Sequence, residues 1–253
     1  MKKHITTIAA GATMLAALAG AMELSSIPTV ATGNVKGKVL FEGDKPTTKP
    51  LSVTEEQAKG CCADGSAVDT TNRELMVGEK GGIANVVVMI EIDDAEVKPL
   101  ENPLELDQSK CRFEPHVLIV PTGSTVHYLN SDEISHNVHT YATKNGGMNQ
   151  TVAAGSKLEQ KLEKSEVVKV TCDIHPWMLS YVYVADTNFF AVTDAEGNFE
   201  IKGLPAGEYK AEMWHEKLGK AKADVTVTAD GTAELEVKMG ESKGSGGGRR
   251  RRR

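Results

Sequence analysis

Aromatic side chains are scarce in this sequence: Phe, Tyr and Trp make up 5% of the 253 residues, whereas apolar residues as a whole make up 40%. Aliphatic side chains, Val above all, must therefore fill the interior. Helical periodicity is also weak, and its best candidate is a turn or two within residues 54–62. Short segments between turn residues instead predict an all-β fold of sandwiches. Strands are predicted at residues 34–43, 84–92, 116–123, 124–130, 136–143, 166–172, 180–186, 198–204, 207–214, 223–231 and 232–239.

Common catalytic and cofactor-binding motifs are missing as well. The sequence has no C-x-x-C-H for covalent haem, no H-E-x-x-H for zinc and no glycine-rich nucleotide loop. It also lacks a Ser, His and Asp arrangement typical of hydrolases. We therefore expect that the protein is not an enzyme in itself.

The chain begins with a segment typical of a secretory signal peptide, predicted here as residues 1–31. Two lysines precede an alanine-rich apolar run from Ile5 to about Ala21, and small-x-small cleavage patterns follow. No Cys lies near them and this N-terminal segment has no Arg pair, which favours the general Sec-type export route. An uncleaved membrane anchor is the alternative. Because no later segment is apolar enough to span a membrane, we expect a mature protein without a membrane span, periplasmic or secreted.

Charge is unevenly distributed along the chain. The formal net charge of -6 includes five C-terminal arginines, so that residues 32–248, with 22 basic and 34 acidic residues, carry -12. Such an acidic body steers toward a basic partner and away from nucleic acid. The Gly, Ser and Arg residues of the tail, 241–253, predict a disordered end.

The four cysteines are Cys61, Cys62, Cys111 and Cys172. Export to an oxidising compartment permits disulfides. Adjacent cysteines rarely pair with each other because the geometry is strained. If Cys172 binds a metal, Cys111 is expected to pair with Cys61 or Cys62, and the sequence does not decide between them.

Cys172 lies in the most informative segment, VTCDIHPWMLSYV at residues 170–182. Alternation along the predicted strand places Cys172 at the end of its inward face. The loop that follows folds His175 and Met178 back toward it, and His136 opens another strand after a polar loop. The predicted metal ligands are therefore His136, Cys172, His175 and Met178.

One thiolate, two imidazoles and one thioether form a specific donor set. Two His and one Cys in a trigonal plane with a weak axial Met are the blue-copper arrangement of electron-transfer proteins. Zinc is the competing metal, but structural zinc sites use Cys and His, and a neutral thioether is a poor zinc ligand. One type 1 copper ion is therefore the predicted cofactor.

The motif C-D-I-H-P-W-M, together with the upstream H-N-V-H, resembles the cupredoxins of the plastocyanin and amicyanin type. The segment VLIVPTGSTVHYLNSDEISHNV is similar to the strand, turn, strand and N-x-D pattern of that family. The resemblance implies a Greek-key β-sandwich and the same four copper ligands. It also implies that Asn137 ties the two ligand loops together without binding the ion. His175, beside Pro176 and Trp177, is then expected to be partly exposed and to carry the electrons.

A second resemblance lies in TDAEGNFEIKGLPAGEYKAEMW, residues 193–214. This segment is similar to the carboxypeptidase regulatory-like, or transthyretin-like, β-sandwich. The first strands of such a module resemble segments within residues 33–95, so we hypothesise a module split around the copper domain; two tandem domains are the alternative. The predicted parts are the signal peptide (1–31), an N-terminal β region (32–100), the copper domain (101–186), the regulatory-like sandwich (187–240) and the tail (241–253).

Together these patterns predict an exported mononuclear type 1 copper protein that carries single electrons between redox partners. Its acidic body suggests a basic partner, such as a cytochrome or a dehydrogenase. A copper-binding or copper-delivery protein without a redox role is the first alternative, and a structural β-module protein is the second. Copper carriers usually expose Met- and His-rich clusters, whereas this chain has one closed site, which favours electron transfer.

Overall fold

Nearly every regular element of this protein is a β-strand, and the predicted all-β fold is confirmed. A computed structural model describes residues 30–241; the predicted signal peptide up to residue 29 and the tail from residue 242 lie outside the described residues. The elements are β1 (Thr32–Phe41), α1 (Glu55–Ala58), β2 (Val87–Ile90), β3 (Leu104–Ser109), β4 (Arg112–Glu114), β5 (Val117–Pro121), β6 (Ser124–Asn130), β7 (His136–Thr140), β8 (Met148–Val152), β9 (Lys157–Leu162), β10 (Glu166–Thr171), β11 (Leu179–Ala185), β12 (Phe189–Val192), β13 (Asn198–Pro205), β14 (Gly207–His215), β15 (Gly219–Val227) and β16 (Thr232–Met239). No helix in the described range has the length and apolar character needed to cross a membrane.

The first sandwich is built from two sheets, with strand orders β5-β11-β10-β7-β8 and β4-β3-β6-β9. Alternation along β10 points Val168 and Val170 inward, where they join a shared core with Phe113 and Tyr128. All nine strands lie between residues 104 and 185, within the predicted copper domain. The boundaries of that domain stay a prediction.

The second sandwich combines strands from before and after the first. Its sheets have the orders β13-β1-β16 and β12-β2-β14-β15. β1 pairs antiparallel with β13 and parallel with β16, while β2 pairs antiparallel with β12 and β14. β2 therefore lies in a sheet of the second sandwich, while the split of a regulatory-like module around the copper domain stays a prediction.

A third apolar layer joins the two sandwiches. All four residues of β2 are buried because alternate side chains face different cores. Val88 faces the core of the second sandwich, whereas Val87 and Met89 face the first sandwich. There they meet outward-facing side chains of β5 and β11, including Ile119 and Tyr183. From Ala31 onward the described chain forms one compact unit.

The long connection between β1 and β2 is fastened to the first sandwich. Within it, residues 54–73, called the strap below, carry α1 and a disulfide from Cys61 to Cys111. The predicted disulfide is thus confirmed, with Cys61 as the partner, and Cys62 is free. Two further contacts hold the strap: Lys110 Nζ lies 2.8 Å from Asp64 Oδ2, and Arg112 donates to backbone carbonyls at residues 69 and 71.

Candidate metal centre

Three of the four predicted ligands meet at one end of the first sandwich. Cys172 directly follows β10, His136 opens the neighbouring strand β7, and His175 lies in the loop between β10 and β11. Sγ of Cys172 lies 4.0 Å from Nδ1 of His136 and 3.9 Å from Nδ1 of His175. The two Nδ1 atoms are 2.9 Å apart, and all three residues are buried. One ion could contact all three donor atoms.

Met178, the fourth predicted ligand, ends the same loop. Its backbone N–H donates to the carbonyl oxygen of His175 at 2.9 Å, which closes a tight turn directly before β11. The side chain is fully buried in the core of the first sandwich, the core that also contains Cys172. The turn returns Met178 to the ligand end of the sandwich, and its axial role stays a prediction.

Asn137 connects the two segments that carry the ligands. Its backbone N–H points to Sγ of Cys172 at 3.5 Å, and its Oδ1 accepts from the N–H of Asp173 at 2.5 Å. Its Nδ2 donates to Oδ1 of Asn149 at 2.5 Å, which fixes the side chain from the side of β8. Such contacts orient a thiolate and limit its movement.

Asp132, the acidic residue of the N-x-D pattern, holds His136 from the side away from the thiolate, a role that was not predicted. Oδ2 of Asp132 lies 2.8 Å from Nε2 of His136, and the same carboxylate accepts from the backbone N–H groups of Lys110 and Cys111. A carboxylate only accepts, so Nε2 carries the proton and Nδ1 faces Cys172. The spacing of four residues in SDEISH was the signal available in the sequence.

The electrostatics of the site favour a thiolate beside a cation. Burial raises the pKa of Cys172, but hydrogen bonds from His136, His175 and the Asn137 N–H lower it by more, to about 6. Burial lowers the pKa of His136, but Asp132 and Cys172 raise it by more, to about 9. Without metal, one proton therefore balances the thiolate, and a soft metal cation could replace it.

Two other groups of metal-ligating side chains lie nearby. One combines His175 with Cys61 and Cys111, and the other combines His136 with Cys111 and Asp132. Both include sulfur atoms of the disulfide, which are not thiolates and bind metals poorly. Among the described residues, the group with a free thiolate is that of His136, Cys172 and His175, a donor set that suits copper.

His175 is less accessible than the resemblance implies, and the expectation of a partly exposed ligand is wrong. The residue is only 7% exposed. Ligand atoms of Cys61 and Cys111 lie within 4.8 Å of a ring nitrogen of His175. The ring of Trp177 packs edge-on at 5.1 Å, and its Nε1 donates to the carbonyl oxygen of Cys111. The strap thus covers this ligand, while Ile174 beside it is 52% exposed.

Comparison with protein families gives one partial match. The model of polysaccharide lyase family 4, domain II (fn3_3) matches residues 170–235, which run from the end of β10 through most of the second sandwich. The resemblance of this sandwich to the carboxypeptidase regulatory-like module therefore stays a prediction. No curated protein sequence matches the chain.

Solved structures similar to this chain include copper proteins. A purple cupredoxin from Nitrosopumilus maritimus is 23% identical with a TM-score of 0.29, over 32% of this chain and 99% of its own. A Cu(I) amicyanin variant is 21% identical with a TM-score of 0.31, over 39% and 98%. A Cu-containing nitrite reductase from Thermus scotoductus is 20% identical with a TM-score of 0.32, over 38% of this chain and only 25% of its own. At such scores the function must rest on the chain's own residues.

Proposed function

We propose that this protein binds one copper ion and carries single electrons. The observation that carries the proposal is the buried triangle of one Sγ and two Nδ1 atoms, contributed by Cys172, His136 and His175. One thiolate and two imidazoles suit copper or zinc, and buried Met178 adds a soft axial group that favours copper.

Copper, when bound, would supply the one-electron change between Cu(I) and Cu(II). The chain's own residues keep the ligands in place for both states. Asp132 fixes the tautomer of His136, and Asn137 ties β7 to the ligand loop. Because Cys172 and His136 lie at the same end of two paired strands, the sheet limits their movement when the charge changes.

The enclosure of the site favours a carrier over an enzyme. All three donor residues are buried, and the strap and its disulfide lie over His175. Such a site offers a substrate no open coordination position, whereas an electron can cross a covered ligand. The acidic body favours a redox partner with a basic surface. Export through the predicted signal peptide would place both in the periplasm or outside the cell.

The experiment is to load the purified protein with Cu(II) and record visible absorption and electron paramagnetic resonance spectra. We expect an intense thiolate-to-copper band and a narrow copper hyperfine splitting, both lost on reduction. Cys172→Ser should abolish both, because it removes the thiolate. Cys62→Ser, which changes the other free cysteine, is the matched control and should leave both unchanged.

A pale protein with tetragonal Cu(II) signals would contradict the proposal, as would preferential uptake of zinc. In the first case a copper-binding role without redox function would become the better reading of the same residues. In the second, the site would be structural, because zinc has no redox chemistry.

A further inference from the structure

The layer between the two sandwiches contains a buried polar pair. His116 directly precedes β5 of the first sandwich, and Glu216 follows β14 of the second. Nε2 of His116 contacts Oε1 of Glu216, and both side chains are only 5% exposed. Trp214 packs edge-on against Tyr181 and Tyr183 in the same interface, with ring centroids 5.5 and 5.6 Å apart. Burying such a pair costs free energy unless each polar atom has a well-placed hydrogen-bond partner, so the other contacts of His116 decide how well the pair is stabilised.

The other side of His116 reaches the strand that follows the metal ligands. Nδ1 of His116 lies 3.2 Å from the carbonyl oxygen of Leu179, the first residue of β11 and the neighbour of Met178. The carbonyl oxygen of His116 accepts from the Tyr181 N–H at 3.0 Å and from the Ser180 hydroxyl at 2.9 Å. The ring of His116 therefore contacts Leu179, whereas its backbone carbonyl holds the next two residues, Ser180 and Tyr181.

Leu179 and Glu216 contact the two ring nitrogens of His116 from opposite sides. Both ring nitrogens face oxygen atoms, and the carbonyl of Leu179 can only accept, so Nδ1 must carry a proton. Without the carboxylate, the ring loses its described partner on the Nε2 side, and the contact with Leu179 alone orients it.

We propose that Glu216 is a positioning residue for the metal site: through His116 it holds Leu179, and thereby the thioether of Met178, in place. The part of this inference that concerns copper rests on the proposed function. A weak axial bond leaves the position of the sulfur to the protein, and that position tunes the balance between Cu(II) and Cu(I). The second sandwich, which carries Glu216, then helps to set the geometry of the metal site.

Three variants separate positioning from general stability. Glu216→Ala removes the contact, and Glu216→Gln keeps a neutral partner whose amide can donate to Nε2 while Nδ1 still donates to Leu179. Met89→Ala removes apolar packing from the same interface without changing the His116–Glu216 pair, and serves as the matched control. Glu216→Leu, which refills the volume, replaces Glu216→Ala if that variant folds poorly.

The first readout is amide hydrogen exchange on the metal-free protein. We expect exchange at the Tyr181 N–H, which donates to the backbone carbonyl oxygen of His116, to be at least tenfold faster in Glu216→Ala than in Met89→Ala of equal global stability, because Glu216→Ala removes the ring partner that holds His116 in place. Glu216→Gln should lie near the wild-type rate. Equal rates in Glu216→Ala and Met89→Ala would overturn the proposal, because the contact would then be ordinary packing.

The second readout is the reduction potential and the copper hyperfine splitting of the loaded protein. We expect Glu216→Ala to change the equilibrium constant for reduction at least threefold, about 28 mV for a one-electron couple, and Met89→Ala to change it less. Faster exchange with an unchanged potential would overturn the role toward copper. If the wild-type protein forms no type 1 site, the proposed function fails, and the exchange data alone decide whether Glu216 positions β11.

Discussion

The Cys61–Cys111 disulfide joins the strap to the loop between β3 and β4, across a sequence separation of 50 residues. The double variant Cys61→Ser, Cys111→Ser removes this link. In the loop-closure estimate, the entropy lost by the cross-linked unfolded chain is about 2.1 + 1.5R ln n cal/mol/K. For n of 50 this gives about 14 cal/mol/K, or about 4 kcal/mol at 25 °C. We therefore expect the double variant to lose about 4 kcal/mol of unfolding free energy.

The double variant should alter the contacts of the folded state less than it alters the conformational entropy of the unfolded chain. Both sulfur atoms are buried in the core of the first sandwich, so serine hydroxyls left there without hydrogen-bond partners add to the loss. The ion pair between Lys110 and Asp64 and the hydrogen bonds of Arg112 remain to hold the strap. A domain of ordinary stability, about 5–15 kcal/mol, would still fold.

Equilibrium unfolding of the metal-free protein in guanidinium chloride measures this loss. Cys62→Ser is the matched control, since Cys62 is a free cysteine next to the disulfide, and we expect it to stay within about 0.5 kcal/mol of the wild type. A loss below about 1 kcal/mol in the double variant would refute the loop-closure reasoning. Because the strap covers His175, the double variant should also release copper to a chelator faster than Cys62→Ser does.

Three further changes have defined outcomes. Asp132→Asn should weaken metal binding about 10–100-fold, because the partner of His136 Nε2 loses its charge. Competition with a chromophoric chelator measures the change in affinity. The control variant Asp107→Asn should show no such loss. Partial burial raises the pKa of Glu166, but N–H and hydroxyl donors from residues 143–145 lower it by more, to about 2. The ionised carboxylate of Glu166 therefore stabilises the folded state above pH 4.5, and this stabilisation is lost as the pH falls toward 2. In acid unfolding, Glu166→Gln should reduce the pH dependence of the unfolding free energy by about 1–2 kcal/mol. The same pH profile in the variant and the wild type would contradict this prediction. Gly82→Ala would place a Cβ 1.8 Å from the carbonyl oxygen of Glu196. We therefore expect the variant to lose about 1–3 kcal/mol of unfolding free energy in denaturant. Wild-type stability would contradict this and would show that the loop moves to accommodate the methyl group.

The sequence was most informative where the signal is local. Central strands such as β6 and β10 alternate apolar and polar residues, and their positions were predicted within two residues. The strands β3, β4, β8, β9 and β12 were missed, and all except β3 lie at sheet edges. Edge strands face water on one side and carry polar residues, as in Met148–Val152 and Lys157–Leu162. Their pattern is therefore weak without the neighbouring strand.

The donor residues were accessible to sequence reasoning for a similar reason. Cys172, His175 and Met178 lie within seven residues, so their spacing is visible in the chain, and the strand opened by His136 has its own signal. The disulfide partner of Cys111 and the cover over His175 depend on how a long connection folds back. No periodicity or short motif encodes such contacts.

The apolar layer between the sandwiches bears on whether residues 101–186 could form an independent domain. In an independent sandwich, the outer faces of β5 and β11 would meet water and would carry polar residues. Here Val117, Ile119 and Tyr183 on those faces are apolar or aromatic and are covered by β2 of the second sandwich. Isolating residues 101–186 would expose this patch and leave His116 without its carboxylate partner. The strand that follows Met178 is thus covered on both faces, and we expect the proposed metal site to depend on both sandwiches.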